Sequence, residues 1–307
     1  MSHKNKVSLY MQMTAALEDK FSPGRSKHED KAADGISERI YSYSTLESYK
    51  KHGGYFIRYC KEQHGCRNLE DCRQYVDEWL QTRFGLSAYT VKLEAAALAK
   101  LYGCSTTSFI QTPRRRREDI QRSRGPKMRD RFFSEEKNKD FVTFCRCTGL
   151  RRRELTVLIG SKLIYEDNKY YILVDKGAKG GKRREAPVIG NPEEVETVKR
   201  IMRAAGAGKV FEKVPGGADV HGYRAEYATR IYKSLERPLE VCKSTPFYNP
   251  LHNNGKGKQK GGYDKDSVYW FRKDRAGEWL DKAAMLEASR ALGHNRICVV
   301  GEHYIRK

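Results

Sequence analysis

The sequence predicts a mainly α-helical protein with a small β-sheet, in which an N-terminal helical domain precedes a domain of mixed α+β structure. Three observations support this fold class. Apolar residues recur at helical spacing through the first hundred residues, a basic stretch with prolines and glycines follows, and β-rich segments appear only beyond it. These changes place the two domains at 1–112 and 128–307, with a linker over 113–127.

Four short helices account for the apolar pattern of the N-terminal domain. We expect one helix over about 7–20 and a second that begins at Ser44–Glu47, a capping box whose serine and glutamate side chains satisfy free backbone amides. A third helix over about 69–84 ends at Gly85, and Ser87 caps the fourth. Because each helix carries one apolar stripe, a four-helix bundle is the simplest way to bury them.

The linker is strongly basic. Between Arg114 and Arg131 there are nine basic and three acidic residues, with glycine and proline between them. Such a run is usually a solvated surface segment, but four consecutive arginines in a basic protein favour contact with phosphate groups. We therefore predict that the linker binds a polyanion through Arg114, Arg115, Arg116 and Arg117.

The second domain combines helices with a short stretch of strands. Ser134 is expected to cap a helix over about 135–147, and a further helix begins near Arg151. Two β-rich runs, 170–174 and 185–188, flank a glycine turn and predict a hairpin. Further along we expect helices at about 192–204, 221–234 and 282–291, a loop over 250–265 and a hairpin over 268–280.

The net charge narrows the class of partner. Lys and Arg number 60 and Asp and Glu number 39, which gives a net charge of +21. An excess of this size favours a polyanion, either nucleic acid or an acidic membrane surface. Apolar residues make up 38% of the chain, enough for packed cores, and no apolar run approaches the roughly 20 residues of a membrane span. With no signal-like stretch near the N-terminus, we expect a soluble, cytoplasmic protein.

The eight cysteines do not follow a disulfide framework, and we expect free thiols that pack as small apolar side chains. Cys60, His64, Cys66 and Cys72 lie close enough in sequence to suggest zinc as an alternative. Their spacing matches no familiar zinc finger, and Cys72 lies on the apolar stripe of a predicted helix. We therefore predict core packing and no metal site.

Four segments of the second domain carry residues suited to phosphate chemistry. They are Thr148–Leu155 (TGLRRREL), Lys179–Pro187 (KGGKRREAP), His221–Arg224 (HGYR) and Leu292–His294 (LGH), the last followed ten residues later by Tyr304. Each is a common pattern by itself. Their combination in a basic chain is unusual, because arginines can clamp a phosphodiester, lysine and histidine can move protons, and a tyrosine hydroxyl can attack phosphorus.

The order of these segments resembles that of the tyrosine recombinase (phage integrase) family over residues 126–307. TGLRRREL resembles the first arginine box of that family, AKGGKRREAPV its lysine hairpin, HGYRAEYAT its HxxR box, and LGH with Tyr304 its C-terminal box. The N-terminal helices and the linker are similar in placement and length to the core-binding domain of the family. The resemblance therefore implies a core-type DNA-binding domain followed by a tyrosine-recombinase catalytic domain.

The resemblance also implies the roles of individual residues. Six are implied as catalytic: Arg151, Lys179, His221, Arg224, His294 and Tyr304. The two arginines would hold the scissile phosphate, the lysine would protonate the leaving 5′-oxygen, the histidines would assist proton transfer, and the tyrosine would form a 3′-phosphotyrosyl link. Glu154 would support the first arginine, and Lys182 and Arg184 would join the four linker arginines as DNA contacts.

The function that the resemblance implies is site-specific DNA recombination, as in the integrase of a phage or another mobile element, without metal, ATP or other cofactor. The implied partners are double-stranded DNA with inverted half-sites, further copies of the chain in a dimer or tetramer, and accessory proteins that bend DNA. The protein would then associate with the nucleoid. Two alternatives stay open, a DNA-binding architectural protein that does not cleave and a type IB topoisomerase.

Two of the departures from the family pattern concern spacing. His294 and Tyr304 are ten residues apart, one more than is common in the family, so His303 leaves the local register open. Arg224 and His294 are seventy residues apart, which implies an insertion around 236–280. We expect this insertion either to contact DNA or a neighbouring subunit, or to form a plain surface loop.

Overall fold

The computed structural model describes residues 7–25, 29–30, 38–115, 133–178, 183–250, 261–272, 275–294 and 296–305. The chain divides into two units, Met1–Gln121 and Arg122–Lys307. Most of the predicted linker lies outside the described residues. Each unit has its own apolar core, formed by one cluster of buried side chains in the first unit and by two in the second.

The described part of the first unit is helical. Its helices are α1 (Leu9–Asp19), α2 (Tyr43–His64), α3 (Leu69–Cys72), α4 (Val76–Thr82) and α5 (Ala88–Leu101), with 3-10 turns at Arg73–Tyr75 and Thr106–Ser108. The core is built from the apolar faces that the sequence predicts, and it includes Met13, Phe56, Trp79 and Leu98. Ser87 caps α5 as predicted, because its hydroxyl accepts from the backbone amide of Thr90 at 3.2 Å.

Helix α2 begins two residues earlier than predicted. Its cap is Ser42, whose hydroxyl accepts from the amide of Thr45 at 3.2 Å, so the predicted capping box at Ser44–Glu47 is wrong. The helix runs unbroken through Gly53, although glycine weakens helices. A Cβ at this position would lie 2.7 Å from the sulfur of Met13, so glycine allows α1 and α2 to approach closely.

The predicted single helix over 69–84 is also wrong. The backbone tightens into the 3-10 turn at Arg73–Tyr75 between α3 and α4, and α4 ends at Thr82. In a 3-10 turn residues three apart lie on one face. The apolar spacing of Leu69, Cys72 and Val76 therefore fits both structures, and the sequence pattern could not distinguish them.

The second unit packs helices around a small sheet. Its helices are α6 (Lys139–Thr148), α7 (Arg152–Val157), α8 (Pro192–Ala205), α9 (Val220–Leu235), α10 (Leu239–Ser244), α11 (Lys282–Leu292) and α12 (Ile297–His303), with a 3-10 turn at Gly160–Lys162. Its strands are β1 (Leu163–Glu166), β2 (Lys169–Val174), β3 (Arg184–Pro187), β4 (Phe247–Asn249), β5 (Gly262–Asp264), β6 (Val268–Trp270) and β7 (Trp279–Asp281).

Strands β1, β2 and β3 form an antiparallel sheet in that order, which confirms the predicted hairpin of β-rich runs. In β3, Arg184 and Ala186 are buried while Glu185 is exposed, as the two-residue period of a strand requires. The 236–280 region contains α10 and two hairpins, β4–β5 and β6–β7, and the second of them confirms the hairpin predicted over 268–280.

Ser134 does not start the helix predicted over 135–147. Helix α6 begins at Lys139, and the hydroxyl of Ser134 caps a preceding turn by accepting from the amide of Lys137 at 3.3 Å. Glu135 in that turn accepts hydrogen bonds from Arg146 at 3.0 Å and from the hydroxyl of Tyr223 at 2.8 Å. These two contacts hold the turn against α6 and α9, so it does not continue the helix.

Helix α9 lies at the centre of the second unit. Its residues contribute to both apolar clusters of this unit, through Tyr223 on one side and Tyr227 on the other. Arg224 lies between them and is only 1% exposed, which is rare for an arginine. The second unit therefore has a charged guanidinium group buried at its centre.

Cys60, Cys66 and Cys72 are buried in the core of the first unit as free cysteines. Within the described ranges, no group of three or more His, Cys, Asp or Glu side chains is arranged to hold a metal ion. Among the helices that the structure describes, none combines the length and the apolar character that crossing a bilayer requires.

Candidate active site

A cavity of about 390 Å³ in the second unit gathers four of the six residues predicted as catalytic. Its lining consists of Arg151, Arg152, Ala218, Asp219, Val220, His221, Arg224 and Tyr304. These residues come from three distant parts of the chain. The structure therefore brings together what the sequence could only place in order.

Local structure positions each of these side chains. Arg151 is the N-cap of α7, with an extended backbone, so its side chain departs where the helix begins. His221 and Arg224 lie in the first turn of α9, and their three-residue step places both toward the cavity. Tyr304 follows directly after α12 and keeps its amide bonded to the carbonyl of Val300 at 2.9 Å.

The guanidinium groups of Arg151 and Arg224 share one acceptor. Nη2 of Arg151 donates to the carbonyl of Leu292 at 3.3 Å, and Nη2 of Arg224 donates to the same oxygen. Nη1 of Arg224 donates to the carbonyl of Gly149. Leu292 ends α11 and Gly149 caps α6, so both acceptors lie at the negative ends of helices, where cations are stabilised.

Gly149 makes this contact possible through its backbone. Its φ of +57° lies in the left-handed region that favours glycine, and a Cβ there would lie 2.2 Å from the ring of Tyr227. The carbonyl of Gly149 turns toward Arg224 as a result. The glycine of the TGLRRREL segment is therefore required by geometry.

One nitrogen of Arg224 has no partner. Its Nε is buried and makes no hydrogen bond with any residue that the structure describes. Burial, together with the charges of Arg151 and Arg184, lowers the pKa of Arg224 to about 10. A buried donor without an acceptor is rare in folded proteins, and a positively charged one would be satisfied by an anionic acceptor.

Glu154 orients Arg151 as predicted from the sequence. One carboxylate oxygen accepts from Nη1 of Arg151 at 2.8 Å, and the other accepts from its backbone amide at 2.7 Å. Burial alone would raise the pKa of Glu154, but hydrogen bonds and charge from Arg184 and Arg151 lower it to about 2. The carboxylate is therefore ionised at neutral pH although it is buried.

Arg184 does not occupy the position predicted for it. It was expected to contact DNA, but its side chain is buried and donates to both carboxylate oxygens of Glu154 at 2.9 and 2.7 Å. Its Nε also donates to the carbonyl of Ala291 at 3.1 Å. The prediction of a surface phosphate contact at Arg184 is wrong, because strand alternation turns this residue inward.

The ring of Tyr304 lies among the other candidate catalytic residues. Its centroid is 5.1 Å from that of His221 and 5.1 Å from that of His294, and the guanidinium carbon of Arg224 is 5.6 Å from the ring centre. His303, the alternative in register, instead points to Glu302 with its Nε2 3.9 Å from the carboxylate. Tyr304, and not His303, therefore lies among the candidate catalytic residues.

His294 joins the group although it is not part of the cavity lining. Its Nε2 lies 3.4 Å from Nη2 of Arg224. Burial, followed by the charges of Arg224, Arg151 and Arg184, lowers the pKa of His294 to about 3. The imidazole is therefore neutral at physiological pH, and its Nε2 can accept a hydrogen bond or a proton.

Several predicted residues lie outside the described residues, namely Lys179, Lys182, Arg116 and Arg117. Arg114 and Arg115 are described in the first unit, where the guanidinium carbon of Arg115 lies 4.9 Å from the ring centre of Tyr89. Their predicted role in binding DNA stays a prediction.

Two contributors to the site were missed at the sequence level. Arg152 lines the cavity and donates to the carbonyls of Pro215 and Ala218, both at 2.7 Å, which holds the loop before α9. The hydroxyl of Thr229 donates to the carbonyl of Ala225 at 2.8 Å and shares this donor with the carbonyl of Tyr304 at 3.3 Å. The run of three arginines was a signal for the first residue, but no local pattern identifies the second.

The chain was compared with known proteins at three levels. No family model and no curated protein sequence matches it. Among solved structures, the XerH site-specific recombinase bound to its difH substrate matches with a TM-score of 0.50 and 14% identity, covering 96% of this chain and 92% of that one. The Tn1549 transposon integrase in complex with a circular intermediate DNA matches with a TM-score of 0.44 and 12% identity, covering 98% and 96%.

At this level of identity the similarity concerns the fold. The match to XerH extends over nearly the whole of both chains, so it includes the helical first unit as well as the unit that holds the cavity. The chain has the mainly α fold, with small antiparallel sheets, of the XerH site-specific recombinase.

Proposed function

We propose that this protein is a site-specific DNA recombinase of the tyrosine type, which cleaves and rejoins DNA through a 3′-phosphotyrosyl intermediate at Tyr304. One observation carries the proposal. A tyrosine ring lies beside two guanidinium groups that share the carbonyl of Leu292, and one of them has a buried nitrogen without a partner. This arrangement suits a phosphodiester anion next to a nucleophile.

The proposed cleavage step follows from these groups. Arg151 and Arg224 hold the two non-bridging oxygens of the scissile phosphate. The oxygen of Tyr304 attacks phosphorus as its proton passes to a neighbouring histidine, and the bond from phosphorus to the 5′-oxygen breaks. That oxygen takes a proton from Lys179, the residue that the sequence resemblance implies as general acid.

Rejoining is the same step in reverse. A 5′-hydroxyl attacks the phosphotyrosyl bond, Tyr304 leaves and recovers its proton, and the number of phosphodiester bonds is unchanged, so no ATP is consumed. The fixed guanidinium charges stabilise the charge that develops on the phosphate oxygens. Their proposed role corresponds to that of magnesium in other phosphoryl-transfer enzymes.

The proposed substrate is duplex DNA with inverted half-sites at the ends of a mobile element. The net charge of +21 and the cation-lined cavity support a polyanionic partner. Assembly on such a site would use two or four copies of the chain, one for each half-site.

A suicide duplex tests the proposal. Inverted half-sites are taken from the DNA that flanks the gene, and each duplex carries a nick beside the crossover, so that the released fragment diffuses away and the covalent complex accumulates. Wild-type protein should form a band that resists denaturation, and Tyr304→Phe should form none. His303→Ala is the matched control, because it changes the neighbouring residue, whose Nε2 lies 3.9 Å from the carboxylate of Glu302.

The alternatives give different outcomes in the same material. Normal binding without any covalent complex would indicate an architectural protein and contradict the proposal. Relaxation of supercoiled plasmids of unrelated sequence would indicate a topoisomerase. Equal trapping by Tyr304→Phe and wild type would show that another residue is the nucleophile.

A further inference from the structure

Three guanidinium groups and one carboxylate form a continuous network beside the cavity. Arg151 and Arg184 both donate to Glu154, while Arg224 joins through the carbonyl of Leu292. Arg184 is bonded to Ala291, the residue before Leu292. We call Arg151, Glu154, Arg184 and Arg224 the guanidinium network.

The position of Glu154 presents an electrostatic problem. It orients Arg151, but a carboxylate 2.8 Å from a phosphate-binding guanidinium also cancels much of the positive charge that the phosphate needs. The carboxylate is 2% exposed, so water screens this effect weakly. An orienting carboxylate would therefore weaken the site unless another charge offset it.

Arg184 is placed to offset that charge. It takes both oxygens of Glu154 in a bidentate pair at 2.9 and 2.7 Å, whereas Arg151 takes one oxygen through its side chain. Arg184 is 8% exposed and does not line the cavity, so it does not compete for the ligand.

We propose that Arg184 is a positioning residue for DNA cleavage, which neutralises Glu154 so that Glu154 can orient Arg151 without cancelling its charge. The inference rests on the proposed function. Three positive charges and one negative charge give the guanidinium network a net charge of two. A phosphodiester carries one negative charge and its pentacoordinate form carries two, so the network matches the transition state better than the substrate.

Asp219 is the other carboxylate at the cavity, and its charge is offset separately. Its Oδ1 accepts from the amide of Gly222 at 2.9 Å, in the first turn of α9. The positive end of that helix stabilises a carboxylate at this position. Asp219 therefore leaves the charge of the guanidinium network unchanged.

The first test compares Arg184→Met with Arg183→Met on two suicide duplexes. Arg183 is exposed and directly precedes Arg184 in the chain, so it is a matched control for loss of one positive charge. One duplex has the natural scissile phosphate, and the other has a methylphosphonate there, which is neutral before attack and carries one negative charge in the pentacoordinate form. We expect Arg184→Met to slow cleavage of the natural duplex at saturating DNA by roughly 100-fold. Cleavage of the methylphosphonate duplex should be slowed less, by a factor that is smaller by about tenfold or more.

The ratio between the two duplexes separates charge from structure. Thermal unfolding and DNA affinity are measured beside it, and a merely structural role would slow both duplexes equally. Equal slowing by Arg184→Met, or the same ratio in Arg183→Met, would overturn the inference. If wild type itself formed no covalent complex, the proposed function would fail, whereas cleavage by wild type with no loss in Arg184→Met would contradict only this inference.

A double variant provides the second test. Glu154→Gln together with Arg184→Met removes one negative and one positive charge, which restores the net charge of two while it removes the orienting contact. Cleavage of the natural duplex by the double variant should exceed that by Arg184→Met by about tenfold. A double variant no better than the single variant would show that Arg184 acts through packing.

Discussion

Among the residues that the structure describes, each unit buries one glutamate against arginine, and the two sites differ in charge balance. In the first unit Glu94 is 0% exposed and accepts from Arg83 at 3.1 and 3.2 Å, with His52 at 3.3 Å. In the second unit Glu154 is bonded to two arginines and a third guanidinium lies nearby. The first site pairs one carboxylate with one guanidinium, whereas the second site has three guanidinium groups for one carboxylate.

The difference shows how a buried ion pair can be recognised as structural or functional. A paired carboxylate and guanidinium satisfy each other, and they link α5 to the end of α4 without any need for a ligand. Excess buried positive charge is costly unless an anion completes it. The cavity beside the guanidinium network, with the unpaired Nε of Arg224, is where we propose that this anion binds.

The largest expected effect is on the rate of DNA cleavage when an arginine of the guanidinium network is removed. Arg151→Ala should reduce the rate of covalent complex formation by about 10³-fold, which corresponds to about 4 kcal/mol, because a fixed charge at the transition state is lost. DNA binding, measured by electrophoretic mobility shift, should change little. Arg83→Ala is the matched variant of the balanced pair, and it should lower the free energy of unfolding without the loss in cleavage rate. Similar cleavage losses in both variants would remove the distinction between the sites.

Acid titration should reveal the ionised state of Glu154. Its pKa of about 2 lies below the ordinary value of 4.5, so its ionisation stabilises the folded protein above pH 4.5, by about 3 kcal/mol, and this contribution is lost as the pH falls through 2. Calorimetry of wild type and Glu154→Gln at pH 7, 4 and 3 should show the difference between them shrinking with acidity. A constant difference would show that folding does not lower the pKa of Glu154.

The contact of Thr229 with the proposed nucleophile should have a moderate effect. Thr229→Val keeps the shape of the side chain and removes the hydroxyl, which donates to the carbonyl of Ala225 at 2.8 Å and lies 3.3 Å from the carbonyl of Tyr304. We expect a loss of about fivefold in cleavage rate, or about 1 kcal/mol, with no change in DNA affinity. Thr229→Ser keeps the hydroxyl and should recover most of the rate. No recovery would assign the effect to packing.

Exposed arginines of the first unit should affect binding rather than chemistry. Arg114→Gln together with Arg115→Gln should reduce the slope of log affinity against log salt by about 2, and weaken binding to unrelated duplexes equally. Fluorescence anisotropy over a salt series measures the slope. An unchanged slope would show that these two residues are not phosphate contacts.

The smallest expected effect is the absence of a titration. Because the pKa of His294 is lowered to about 3, its imidazole should give no chemical-shift change between pH 5 and pH 8 in NMR spectra of the free protein. Because the pKa of His294 is lowered in the folded state, this residue contributes to the free energy of unfolding in full above pH 6.5. The contribution is lost as the pH falls through 3. A midpoint near pH 6.5 in the NMR titration would contradict the burial of this ring among the guanidinium groups.

Local patterns predicted the elements and the residues that act within one turn. The step from His221 to Arg224 and the contact from Arg151 to Glu154 follow from helical spacing, and both are present. The cap of α2 was misplaced from Ser42 to Ser44 because several serines and threonines lie together there. The break between α3 and α4 was missed because the same spacing fits both structures.

Contacts between distant segments could not be predicted from the sequence. Arg183 and Arg184 are adjacent residues of the same type, and only the pairing of β3 with β2 decides which of the two side chains is buried. The sequence offered a signal in the apolar residue Ala186, which lies two residues along the strand and therefore on the same face as Arg184. Every residue type has a backbone carbonyl, so no sequence pattern identifies the carbonyl of Leu292 as the shared acceptor.

That shared acceptor has a consequence for the energetics of the proposed reaction. Since one carbonyl fixes both guanidinium groups that we propose bind the phosphate, their separation is set before any substrate arrives, and little reorganisation energy remains for the reacting complex to supply. Displacing the end of α11 would move both cations at once, so the reactive geometry is gained or lost as a single cooperative event.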